Sequence, residues 1–150
     1  MDTRIPPPLV ALALIALVWW ADRALPGMRL AFAGQGAVAA LFAALGVACA
    51  LAGVLALRSA GTTVSPFDPD RSTQLVVAGI YTRTRNPMYL GLLLAITGFV
   101  VWRGQPLGLL ALPALVLFIT RFQIRPEEAA LHRRFGAVFA AYCQRVRRWL

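Results

Sequence analysis

Apolar residues in this chain do not alternate with polar ones. They collect in four long uncharged runs, at 5–21, 30–57, 86–102 and 104–120. Runs of this length predict helices that cross a membrane. At ~1.5 Å per residue a 17-residue helix covers roughly 25 Å, slightly short of a ~30 Å hydrocarbon core, whereas the 28-residue second run is ample and tolerates tilt. Trp19, Trp20 and Trp102 stand at the ends of runs, where interfacial aromatic residues belong. Pro6-Pro7-Pro8 is expected to precede the first helix, and bulky residues at 18–20, where a cleavage site needs small ones, make the first run read as an uncleaved anchor.

Beyond residue 120 the pattern changes. At ~100° per residue, Leu131, Phe135, Val138, Phe139, Tyr142, Val146 and Trp149 share one stripe, while Arg133, Arg147 and Arg148 point away from it. The tail therefore predicts an amphipathic helix lying on the membrane surface. The expected fold is an all-α integral membrane protein of about four transmembrane helices plus a C-terminal amphipathic interfacial helix. It forms a single domain over 1–150, with two spans in 1–57 and a long polar connection, a helical pair and the tail in 58–150.

Composition agrees: 59% of residues are hydrophobic and only 14% charged, which excludes an ordinary soluble domain. The net charge of +9 raises nucleic acid as a partner. All fifteen basic residues are arginines, however, and they lie beside the apolar runs. With four spans, twelve fall on the side of both termini (Arg4, Arg58, Arg71, Arg83, Arg85, Arg121, Arg125, Arg133, Arg134, Arg145, Arg147 and Arg148) against Arg23, Arg29 and Arg103 on the other. This is a positive-inside pattern with both termini cytoplasmic, and no nucleic-acid partner is needed to explain it. Cys49 lies in an apolar run and Cys143 in the basic tail, so no disulfide framework is expected. Gly46 and Gly53, seven residues apart, read as a helix-packing face.

Polar groups gather in two segments on the expected cytoplasmic side, 59–91 and 120–136. In the first, Gln74–Val77 reads as extended, Ala78-Gly79 as a turn, and Asn86-Pro87 as the entry to the third helix with Pro87 in its first turn. Tyr81 and Tyr89 flank that entry, whose unpaired backbone N–H groups suit an anion. Asp68 and Asp70 read as turn formers in a Pro-rich stretch. In the second segment, Pro126 followed by Glu127 and Glu128 reads as a helix opening favoured by the macrodipole. These are the chain's only glutamates; Glu128 projects onto the apolar stripe and Glu127 onto its edge. An inward carboxylate needs an arginine or a cationic ligand as partner. His132, the sole histidine, reads as a solvated face residue, and no metal-ligand cluster is evident.

Gly79-Ile-Tyr81, then Arg85-Asn-Pro-Met-Tyr89-Leu-Gly91, then Arg125-Pro-Glu127-Glu128 with Leu131 and Phe135-Gly136, resembles the isoprenylcysteine carboxyl methyltransferase family, which is broadly related to the phospholipid N-methyltransferases. The resemblance extends from about residue 60 to 150. It implies a membrane methyltransferase that uses S-adenosylmethionine and acts on a lipid or lipidated acceptor. Carried over by position, it implies cofactor contacts from Gln74, Leu75, Val76, Tyr81, Asn86, Pro87, Met88, Tyr89 and Glu127. Either Glu127 or Glu128 is implied to make the acidic contact with the cofactor; Glu128 is also implied as a catalytic residue with Arg121 and Arg125, one of which is implied to contact the acceptor. This chain departs from the family in having Asn86 where better-known members have His; Asn keeps a donor and an acceptor but does not titrate.

Methyl transfer from a sulfonium is an in-line displacement that needs alignment more than acid–base chemistry. Tyrosine faces stabilise a sulfonium, and arginine orients a carboxylate. An amine acceptor would need a base, and none is evident, so a carboxylate acceptor is favoured. Two alternatives stand beside this reading: an NADPH-dependent sterol-type membrane reductase, whose members carry a similar Arg-x-Pro-x-Tyr-x-Gly segment, and a non-catalytic small membrane protein whose tail is only an anchor.

Overall fold

The computed structural model describes residues 5–61 and 74–150, and in these every regular element is helical. Asp68 and Asp70, expected to form turns, lie outside the described residues. The main helices are α1 (Pro7–Ala24), α2 (Gln35–Ser59), α3 (Pro87–Arg103), α4 (Ala111–Ile119) and α5 (Arg125–Arg145). Helix α1 starts inside the proline triplet, two residues earlier than expected: Pro6 caps it and Pro7 and Pro8 occupy its first turn. A missing N–H costs nothing there, because first-turn N–H groups have no intrahelical acceptor.

Three helical stretches are long and apolar enough to cross a membrane: α1, α2 and a 40-residue rod, Pro106–Arg145. The apolar α3 has 17 residues. Outward-facing side chains such as Leu12, Leu51, Leu55, Leu110 and Leu117 are well exposed, as a lipid-facing surface requires.

Helices α2 and α3 form the most extensive helix pair, and small residues allow it. A Cβ built on Gly46 would lie 2.7 Å from the Gly91 carbonyl oxygen, and one on Gly91 would lie 2.5 Å from that of Gly46. Backbones this close exclude any side chain. Further along the same face Gly53 meets the Pro87 ring, which seats the entry of α3 against the end of α2. The packing expected of Gly46 and Gly53 is thus observed. The main core joins α1, α3 and α4 through Ala11, Val18, Ile96, Val100, Leu115 and Ile119, and takes in Tyr89 and Ile124.

The tail is not an independently opened helix. Helix α4 runs into α5 through a π-helical turn, Thr120–Ile124, in which the Arg125 N–H bonds to the Thr120 carbonyl. Pro126 therefore sits inside a continuous helix, where the sequence predicts a fresh start. Proline removes an i→i−4 bond, and the wider turn just before it is where the ladder accommodates that loss. The rod breaks its regular path once more at Gly136 (φ 51°, ψ −123°), a conformation outside the range of ordinary L-residues. That break ends the uniform 100° progression. Phe139, Tyr142 and Val146 of the expected stripe are buried and pack with Leu75, Leu131 and Phe135, whereas Val138 is exposed.

At the end of the bundle formed by the C-termini of α1 and α3, buried Asp22 is held between Arg29 and Arg103. Gln35 Nε2 donates to the Val101 carbonyl at 2.7 Å, and the Leu30 N–H donates to that of Gly104 at 2.8 Å. This polar knot ties α1, α2 and α3 together at the end opposite the motif-bearing loop. The sequence reading passed over Asp22; its signal was an acid directly after an apolar run, facing the side that holds just three arginines.

Candidate active site

The site forms where the entry of α3, the short helical turn before it, the first turns of α5 and residues 146–150 converge. Residues 75–77 have no regular structure, and Gly79 (φ 61°) opens a 3₁₀ turn, Gly79–Thr82, as the Ala78-Gly79 signal predicts. Asn86 (φ −131°, ψ 58°) is the N-cap of α3 and Pro87 its first residue, also as expected. The Pro87 carbonyl accepts from the Cys49 thiol at 3.3 Å, a second tie between α2 and this entry.

Tyr89 is buried one turn into α3, and its hydroxyl donates to Glu127 Oε1 at 2.5 Å. Tyr81 is also buried, and its carbonyl accepts from the Tyr142 hydroxyl at 2.7 Å. Burial first, and then the neighbouring Tyr142 and Glu127, push the Tyr81 phenol well above the usual tyrosine range. Tyr81 thus keeps its proton more firmly than an ordinary tyrosine beside this carboxylate.

The adjacent glutamate has different surroundings. Arg148 grips Glu128 with two parallel bonds, Nη2 to Oε2 at 2.6 Å and Nε to Oε1 at 3.0 Å, and Arg85 Nη2 lies 2.9 Å from Oε1. This contact keeps the Arg148 guanidinium charged beyond its ordinary range. Two guanidiniums about one carboxylate leave a surplus positive charge. Arg85 Nε is buried without an acceptor, which leaves one directed donor unused beside Glu128.

Arg148 corrects the helical projection, which turned it away from the site. Helix α5 ends at Arg145, and Val146 is extended (φ −123°, ψ 130°), so a 100° progression no longer describes residues 146–150. The Arg148 carbonyl accepts from Asn86 Nδ2 at 2.8 Å, and the Arg147 carbonyl accepts from the Arg85 N–H at 3.1 Å. Asn86 therefore has a structural partner of its own.

The structure brings together Tyr81, Asn86, Pro87, Tyr89, Glu127 and Glu128, and Leu75 packs against the tail cluster beside them. Met88 is half-buried against α2 near Gly53, and Val76 is half-buried. Gln74 is exposed, as are Arg121 and Arg125; Arg121 lies over the Phe122 ring at 5.7 Å, and among the described residues neither arginine joins the Glu128 ion pairs. Arg148 and Thr84 belong to the site and were missed. Arg148 carried no signal in the pattern, because its role depends on where α5 stops. Thr84 sits just before the quoted motif; its hydroxyl accepts from the Asn86 N–H at 3.2 Å.

The family described as phospholipid methyltransferase matches residues 35–138, more than two thirds of the chain and most of the elements that build this site. The chain belongs to that family of membrane methyltransferases. An uncharacterized protein of Haemophilus influenzae is 43% identical over 63 residues, which is 42% of this chain and 100% of that protein. No solved structure matches the chain.

Proposed function

We propose that the protein transfers the methyl group of S-adenosylmethionine to a lipid-like or lipidated acceptor at the cytoplasmic face of the membrane. One observation carries the reading: the Tyr89–Glu127 hydrogen bond joins the two motifs, and Glu128 beside it holds Arg85 and Arg148. Glu127, joined to Tyr89 of the other motif, is the glutamate assigned to the cofactor in this reading, and Glu128 organises Arg85 and Arg148 beside it.

The residues fit this cofactor. When bound it supplies an electrophilic methyl on a sulfonium, together with an ammonium and a carboxylate. Glu127 attracts the cationic groups, and the Tyr81 and Tyr89 rings offer polarisable faces to the sulfonium. Arg85 Nε, buried with no acceptor, matches the carboxylate. Leu75, Val76, Pro87 and Met88 supply apolar walls that keep water from the methyl, and Gln74 stands at the exposed edge. Arg121 and Arg125, exposed on the rod just before the acidic pair, are the guanidiniums placed to orient an acidic acceptor. A carboxylate acceptor is favoured because the buried phenols of Tyr81 and Tyr142 resist ionisation, and among the described residues no base for an amine is evident. The excess of arginine on this side argues for cytoplasmic termini, and the half of α5 beyond Gly136 would lie at the membrane surface.

Calorimetric titration of the detergent-purified chain with S-adenosylmethionine, and separately with NADPH, tests the reading. Saturable binding of the first alone is expected. A labelled-methyl assay on a prenylated cysteine and on a phospholipid amine then identifies the acceptor class. Binding of neither cofactor would leave only the anchor reading.

A further inference from the structure

We propose that Arg148 is a positioning residue that sets the relative placement of the two motifs. The inference rests on the function proposed above. Arg148 touches both halves of the site from a single residue. Its guanidinium grips Glu128 of the acidic pair, and its carbonyl accepts from Asn86 of the Asn-Pro motif at 2.8 Å and from Thr84 Oγ1 at 3.4 Å. The flanking residues reinforce it on both sides: Arg147 receives the Arg85 N–H, and Trp149 packs against the core that contains Tyr89. Val146, upstream, is buried with Phe139 and Tyr142.

The consequence is geometric. Glu127 and Glu128 are adjacent on α5, so holding Glu128 fixes the azimuth of that turn and with it the direction of Glu127. Asn86 and Tyr89 are one turn apart at the entry of α3, so holding Asn86 fixes the other half. Residues 146–150 form a strap between the two, and Arg148 is its double-sided fastening. This also accounts for Asn in place of a titrating residue at 86. The strap needs an amide donor aimed at a carbonyl, and a neutral donor meets that need at any pH.

The test uses the full chain in detergent. Arg148→Ala is expected to weaken S-adenosylmethionine binding about tenfold, as the loss of a charge-assisted contact implies. Arg148→Lys, which keeps the charge but not the fork, should recover part of that loss. Arg145→Ala, an exposed neighbour, should bind as wild type does. The wild-type protein supplies a measurement independent of whether the variants fold: hydrogen exchange at residues 84–89, 127–130 and 146–150 with and without S-adenosylhomocysteine. All three segments should gain protection together. Wild-type affinity in Arg148→Ala, or protection of the motifs with none at 146–150, overturns the proposal. If wild type binds no cofactor at all, and 146–150 gains no protection, the parent reading fails and this inference falls with it.

Discussion

The Tyr89 hydroxyl donates to Glu127 across 2.5 Å, joining residues 38 positions apart in the chain. Tyr89 sits in the apolar core of the bundle, whereas Glu127 opens the basic tail, so this bond marks where the membrane-buried and polar halves of the molecule meet. Removing the hydroxyl leaves the ring and its packing in place. Tyr89→Phe should therefore melt close to wild type while binding S-adenosylmethionine several-fold more weakly, about the worth of one hydrogen bond to a charged group. Paired thermal melts and calorimetry read the two effects separately.

The two glutamates should respond differently to the same change. Glu127→Gln removes the charge facing Tyr89 and is expected to reduce cofactor affinity. Glu128→Gln leaves Arg85 and Arg148 facing each other without their counter-charge, so it should lower stability by about 2 kcal/mol. Denaturation in detergent decides it; wild-type stability in Glu128→Gln would refute its role in holding the two arginines.

Close approach of α2 and α3 predicts that Gly91→Ala is poorly tolerated. The added Cβ would meet the Gly46 carbonyl oxygen at 2.5 Å and Ala50 at 2.9 Å, and neither is a flexible side-chain end. A loss of about 1–3 kcal/mol is expected from overpacking, measurable as a lower melting temperature.

Gly136 offers the contrasting case, since nothing lies within 4 Å of a Cβ built there. Its cost is conformational, because φ 51° with ψ −123° is strained for any side chain. Gly136→Ala should cost about 1–3 kcal/mol with no clash. Hydrogen exchange should show the loosening at 137–146 ahead of the bundle.

Alkaline pH tests the burial of Tyr81. Its folded-state pKa is raised, chiefly by burial, above the value of about 10 in an unfolded chain. Below pH 10 both states hold the proton and stability is unaffected. Above it the unfolded state loses its proton first, so stability falls as pH rises towards the folded value. Melting temperatures between pH 9 and 11 should fall less steeply in Tyr81→Phe than in wild type.

Much of this molecule follows from local pattern. The apolar runs, the excess of arginine and the Pro87 helix start are properties of neighbouring residues, because span length, helix entry and charge bias depend on nearby chemistry. The paired motifs are likewise local, and they sufficed to mark Tyr81, Asn86, Tyr89, Glu127 and Glu128. What the residues do to each other was not legible. Tertiary structure decided that α4 and α5 form one rod, since a π turn is a response of the helix ladder to Pro126 and to packing, with no residue signature of its own. It decided that Val138 faces outward, because Gly136 interrupts the rotation that a uniform projection assumes. It also decided that Arg148 turns onto Glu128, which requires the chain to leave the helix at Val146, and that Asp22 is buried between Arg29 and Arg103. Periodicity fixes the direction of a side chain only while the backbone keeps its period. The pairing of charges from separate elements depends on how those elements meet, and that is set by the close contact of small residues between α2 and α3 and by the packing of the tail.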